Sequence, residues 1–105
     1  MDIGLFRKKW KKDQVEMTAH ARKRMNLRGI TIDDIEEVIL SGQVLENYPD
    51  DKPFPSCLLM GIIKNEPLYV VCALGEDKGH IITAHWMDPE KWLDPKTRKR
   101  EKEHV

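Results

Sequence analysis

Two short stretches hold the side chains best suited to chemistry: TAHARKRMNLRGI at residues 18–30 and HIITAHWM at residues 80–87. In the first, His20, Arg24 and Arg28 recur at every fourth position. On a helix turning about 100° per residue, Arg24 and Arg28 follow His20 at roughly 40° and 80°, so the three share one stripe. Ala21 and Met25 border that stripe on one side and Leu27 on the other, while Arg22, Lys23 and Asn26 take the solvent arc. A titratable imidazole beside two planar guanidinium forks suits a phosphate group, which takes bidentate cationic donors and, for cleavage, a group that moves protons. In the second stretch, strand alternation places Thr83 and His85 on one face with Ile81, leaving Ile82, Ala84 and Trp86 on the other. A polar pair in an apolar strand needs hydrogen-bond partners, which a substrate could supply. The same residues also have a purely structural use. Arg24 and Arg28 would then pair with Asp33, Asp34 or Glu37, or Arg28 would cap its own helix, and Thr83 and His85 would lie on a half-exposed outer face.

The elements that must position these groups can be read from caps and periodicity. Thr18 suits the N-cap of a helix over residues 19–28, with Gly29 at C′. Thr31 and Asp34 set up a capping box for a second helix, and Ile30 and Ile35 staple its start. Its apolar stripe is Ile32, Ile35, Val38 and Ile39, and Gly42 ends it. Upstream, Ile3, Phe6 and Trp10 fit a turn or two of amphipathic helix among lysines, and residues 14–17 form a short extended piece. After Gly42 the period changes to two. QVLENY, CLLMGIIK, PLYVVCALG and HIITAHWM read as strands, with Asn65-Glu66 as a tight hairpin connection and PDDKPFP as a turn-rich link. DPEKWLDP, at residues 88–95, reads as a turn or short helical piece anchored by Trp92. Helices followed by consecutive strands define an α+β class, with two N-terminal helices packed on a three- to four-stranded antiparallel sheet. The chain thus divides into a basic N-terminal extension (1–13), one domain (14–95) and a basic, disordered tail (96–105).

A chain of 105 residues suits a single domain. No run approaches the roughly 20 apolar residues of a membrane span, and the N-terminus lacks a signal-peptide pattern, so a cytoplasmic location without membrane partners is expected. Cys57 and Cys72, isolated in apolar runs, are expected to be buried and reduced, although a bridge between neighbouring strands is geometrically open to them. His20, His80, His85 and His104 lack metal-ligand spacing, so no metal site is expected. P-loop, nucleophile-elbow and dinucleotide fingerprints are absent from the sequence. The formal net charge of zero conceals strong segregation: +6 over residues 1–30, −9 over 31–95 and +3 over 96–105. Basic ends of this kind create a local field that attracts anions.

The run T-x-H-A-R-x-R-M-x-x-R-G-I (18–30), with YPDDKPFPSCLLMG (48–61), PLYVVCA (67–73) and IITAHWMDPEKW (81–92), resembles a family of small uncharacterised bacterial domains over residues 14–93. That family is similar to the RelE-like toxin superfamily, with MqsR-like and BrnT-like toxins among its relatives. The resemblance implies a RelE-like fold and the toxin of a type II toxin–antitoxin pair. Such a toxin is a metal-independent endoribonuclease that needs no cofactor and cleaves RNA through attack of the 2′-hydroxyl. It marks His20, Arg24, Arg28, Thr83 and His85 as catalytic, with His20 or His85 moving the proton. Arg22, Tyr69 and Trp86 are expected to contact substrate, Tyr69 or Trp86 by stacking on a base. The family pattern carries tyrosine where this chain has His85, and commonly histidine where it has Tyr69, so the two side-chain types stand exchanged. The implied partners are RNA and a cognate antitoxin of the MqsA-like, zinc-containing kind. Two alternatives stay open. One is a non-catalytic RNA- or protein-binding module that keeps the basic stripe; the other is an interaction domain whose sheet edge or groove takes a partner peptide.

Overall fold

Each helix starts at a residue whose side chain satisfies backbone N–H groups that the helix itself leaves free. The computed structural model describes residues 1–99. Asp2 caps α1 (Ile3–Lys11) and Thr18 caps α2 (Ala19–Arg28). At α3 (Ile32–Ser41) both bonds of the Thr31–Asp34 capping box form. Gly29 ends α2 at φ 66°, a left-handed conformation that a side chain would resist. The two helices read from the sequence therefore stand with their expected boundaries. Within α3, Ile35, Val38 and Ile39 are buried, whereas Ile32 is 53% exposed, so the stripe is narrower by one residue.

The sheet has five strands in the order β1–β5–β4–β3–β2, wider than the three to four expected. The extra strand is β1 (Val15–Met17), which pairs in parallel with the start of β5 (Gly79–Trp86). Strands β2 (Gln43–Tyr48), β3 (Ser56–Ile63), β4 (Glu66–Leu74) and β5 run antiparallel in succession. The β3–β4 turn falls at Lys64 and Asn65, both at positive φ, one residue earlier than Asn65-Glu66. That pair of left-handed residues matches the twist of the flanking strands. Residues 88–95 hold a turn at 89–91, as one of the two expected forms, but no helix; Trp92–Asp94 is β6, and it pairs with β7 (Thr97–Arg98) as a separate two-stranded sheet. Of the expected tail, residues 96–99 thus close a hairpin, and 100–105 lie outside the described residues.

Two cores result. On the helix side, Phe6, Ala21, Met25, Ile30 and the α3 residues pack on Cys57, Leu59, Leu68, Val70, Ile81 and Ala84. On the opposite side, Leu58, Met60 and Tyr69 pack with Trp92. Strands β3 and β4 are buried on both faces, which is why their sequences run apolar without alternation. Residues 1–13, set apart in the sequence by their charge, supply α1 and the fully buried Phe6. Cys57 and Cys72 face each other across β3 and β4 as free buried thiols, Sγ to Sγ 3.5 Å. Among the described residues no helix is long and apolar enough to cross a membrane.

Gly42 marks where α3 meets the sheet. A Cβ there would lie 2.3 Å from the Val38 carbonyl oxygen and 2.9 Å from that of Met60, both backbone atoms. Gly42→Ala is therefore expected to lower stability by about 1–3 kcal/mol, seen as a lower urea midpoint at unchanged m.

Candidate functional site

The sequence places Arg24 and Arg28 on α2 and Thr83, His85 and Trp86 on β5; the fold joins them. Beyond Ile81, β5 has no strand neighbour on its β1 side among the described residues, because β1 covers only Gly79–Ile81. Over this open edge α2 lies close, and the space between forms a groove of about 470 Å³ lined by Arg24, Arg28, Thr83, His85, Trp86, Asp88 and Lys91.

Two hydrogen bonds hold the groove's walls in register. The Arg28 guanidinium donates to the Ala84 carbonyl at 2.7 Å, and the Trp86 indole N–H donates to the Arg28 carbonyl at 2.8 Å. The last turn of α2 is therefore tied to β5 at both its side chain and its backbone, and a carbonyl left free by the helix end gains a donor. Arg28 pairs with neither Asp33, Asp34 nor Glu37. Among the described residues the ion pairs are Lys78–Glu16 and Arg98–Glu46, so Arg24, Arg28 and Lys91 bring charge to the groove without a carboxylate salt bridge. Among the described residues Asp88 is its single acidic lining residue, with one carboxylate oxygen accepting from the Glu90 backbone N–H.

The strand faces differ from simple alternation. The β4–β5 register shifts between Val71 and Cys72, so Thr83 opposes Val71 while Ile81 opposes Cys72. This bulge at Ile82 turns Ile81 and Ala84 to the helix-side core and leaves Thr83 and His85 on the other face. Thr83 and His85 do share a face, but not with Ile81.

His85 is half-buried and stacks on Tyr69 of β4, directly opposite in register, with centroids 5.4 Å apart and planes at 18°. Positions 69 and 85 are thus cross-strand neighbours, which holds the phenol and the imidazole in contact. Burial, and then the nearby charges of Arg28, Lys91 and Arg98, hold the His85 imidazole below its ordinary pKa, with Asp88 opposing. It is therefore neutral near pH 7 and able to accept a proton. Tyr69 is fully buried and its phenol is pushed up, by burial first and then by Asp94, so it stays a donor, to the Pro95 carbonyl at 2.8 Å.

Three expected site residues lie elsewhere. His20 is exposed near the start of α2 and does not line the groove. Leu27, the expected apolar border on the other side of the stripe, is 76% exposed, and within the stripe His20 and Arg24 are exposed while Arg28 is partly buried. Arg22 lines a separate cleft of about 620 Å³ with Trp10, Met17, Met25 and Glu36. Tyr69 is sealed beneath His85 and presents no free face on which a base could stack. Conversely, Asp88 and Lys91 line the groove without having been singled out from sequence; their only signal was the charged DPEK run straight after β5. Among the described residues no cluster of three or more His, Cys, Asp or Glu is placed to hold a metal ion.

The lowered His85 pKa has a measurable consequence. The unfolded chain takes up this proton near its ordinary 6.5, whereas the folded protein takes it up only at lower pH. Stability from this source is complete above 6.5 and falls as pH drops through the window between the two values. Glu46 and Glu16, whose carboxyls Arg98 and Lys78 hold below 4.5, lose their contributions only further into acid. The urea midpoint should therefore drop between about pH 7 and about pH 5, and the drop should shrink in His85→Asn.

Residues 17–86, which run from the last residue of β1 through α2, α3 and strands β2 to β5, match the family described as a domain of unknown function, DUF4258. No curated protein and no solved structure matches the chain.

Proposed function

The chain belongs to the DUF4258 family, and from the groove that its matched residues build we propose that it binds RNA and cleaves it, without requiring a metal, by attack of a 2′-hydroxyl on the adjacent phosphate. One observation carries this: a neutral imidazole, His85, lines the same groove as Arg24, Arg28 and Lys91. In the proposed reaction His85 takes the proton of the 2′-hydroxyl. The O2′–P bond forms and the P–O5′ bond breaks, leaving a 2′,3′-cyclic phosphate, and the departing 5′-oxygen takes a proton from water at the open groove mouth. Arg24 and Arg28 hold the non-bridging oxygens as charge develops on them. Thr83 positions the ribose, and Trp86 offers a ring edge to a base.

The RelE-like kinship, the toxin role and a cognate antitoxin of the MqsA-like kind extend this proposal. They draw on the sequence resemblance, and a partner occupying the cationic groove would silence it. A second proposal, RNA binding without cleavage, is favoured by one specific feature: Arg28 already spends one donor on Ala84, so part of its fork serves the fold. Purified protein incubated with single-stranded RNA in EDTA separates the two. Fragments ending in cyclic phosphate support the cleavage proposal. Salt-dependent binding with intact RNA at high protein concentration selects the second, and neither binding nor cleavage rejects both.

A further inference from the structure

The family match ends at Trp86, yet the groove does not. Asp88 and Lys91, from the segment that follows, line it, and the β6–β7 hairpin of the same segment backs it from beneath the sheet. A continuous stack runs from that hairpin to the imidazole. The Arg98 guanidinium lies 4.6 Å from the Trp92 ring centroid and donates to both Glu46 carboxylate oxygens, at 2.5 and 3.0 Å, which pins β7 to β2. Trp92 stacks on Tyr69 at 4.5 Å and 19°, and Tyr69 stacks in turn on His85. The Tyr69 hydroxyl bonds the Pro95 carbonyl in the hairpin turn, so β4 and the hairpin are locked together.

Ring torsions of histidine have broad, shallow wells, so an imidazole at a sheet surface keeps one plane only where neighbours wall it in. Here the wall is Tyr69, and the wall behind Tyr69 is Trp92. We infer that the C-terminal hairpin completes the site: Lys91 contacts the phosphate backbone of a single-stranded RNA, and the Trp92–Tyr69 stack fixes the plane of His85 against the groove. Lys91 is a binding residue, and Tyr69, Trp92 and Arg98 are positioning residues acting through His85. The Lys91 part rests on the RNA proposal, whereas the stack does not.

The groups facing His85 are Arg28 from α2, Tyr69 from β4, Asp88 and Lys91 after β5, and Arg98 from β7. The experiment uses NMR on the full chain, with ring assignments for His85, Tyr69 and Trp92. In the wild type, ring-to-ring Overhauser contacts should link all three; their absence overturns the stack. Arg98→Gln, at a half-exposed side chain, should leave the protein folded while loosening the hairpin. The His85 titration midpoint should then rise towards 6.5. Unchanged ring contacts in the folded variant overturn the positioning role whatever the midpoint does, because loss of the Arg98 charge alone raises it. Lys91→Ala should leave the ring contacts intact and flatten the log–log salt dependence of binding to a mixed-sequence oligoribonucleotide by about 0.7, the signature of one lost phosphate contact. An unaltered slope removes Lys91 from the site. If the wild type binds no oligoribonucleotide, the RNA proposal fails along with Lys91, and the ring measurements still decide the stack.

Discussion

Under the proposed mechanism, His85→Ala is expected to lower the rate of RNA cleavage about 10²–10⁴-fold, the range a positioned proton-transfer group supplies. The effect should fall on kcat and leave KM nearly unchanged, because Arg24, Arg28 and Lys91, which line the groove, would still hold the proposed phosphate. Arg28→Ala should behave differently. It removes a phosphate ligand and also the bond to Ala84, so both kcat and KM should suffer, with a loss of about 10²–10³-fold in kcat/KM. Arg28→Lys separates the two jobs, since an ammonium can reach one acceptor but cannot fork between a carbonyl and a phosphate. The pH profile provides an independent check. The acid limb should have its midpoint below 6.5, because the base must be neutral and its environment keeps it so. A wild-type rate that His85→Ala leaves untouched would remove His85 from the chemistry and send the search back to His20 on the exposed end of α2.

Much of the scaffold was readable because it depends on local signals. Thr18, Gly29, Thr31, Asp34 and Gly42 set helix ends through their own side chains or the lack of one, within a few residues of sequence. The strands were readable from apolar runs bounded by turn residues. What was not readable depends on residues far apart in the chain. The bulge at Ile82 arises from a register shift against β4, and a single inserted residue reverses which side chains face the helices. Leu27 looked like core on a helical wheel, but its side of α2 is left largely uncovered by the described residues, so it is 76% exposed. His20 shares a stripe with Arg24 and Arg28 by angle, yet it lies two turns from the end of α2 that is tied to β5, and angle alone carries no information about position along the axis. The hairpin at Trp92–Arg98 was hidden because its strands are two to three residues long and full of charge. Trp92 is buried all the same, because Tyr69 stacks on its ring, the Arg98 guanidinium lies over it, and Leu58 and Met60 belong to the same cluster.

Phe6→Ala is expected to destabilise the protein by about 3–5 kcal/mol, the usual cost of emptying a buried phenylalanine site. Against a total stability of about 5–15 kcal/mol that is a large fraction, and partial unfolding near 37 °C would follow. Charge alone makes residues 1–13 look like a solvated extension, but three contacts make them part of the core. Phe6 is fully buried, and its ring packs on Gly79, where an added Cβ would come within 2.6 Å of it. Gly79 is also where β1 and β5 first pair, so the same ring props the junction that adds the fifth strand. Next to it, Arg7 donates to the carbonyls of Ile39 at 2.7 Å and Gly42 at 2.9 Å, closing the C-terminal end of α3 with a cation where the helix dipole favours one. Part of the +6 charge of residues 1–30 is thereby committed to the fold and is not free to attract anions. Lys8, on the exposed side of α1, serves as the control: Lys8→Ala should change stability by no more than about 0.5 kcal/mol. Equilibrium urea unfolding followed by circular dichroism measures both. A Phe6→Ala loss below about 1 kcal/mol would return α1 to the status of an appendage, because a ring that truly supports the β1–β5 junction cannot be removed so cheaply. Loss of the expected size would mean that the β1–β5 junction, beyond which the groove opens along the part of β5 that β1 does not cover, rests on the N-terminal helix.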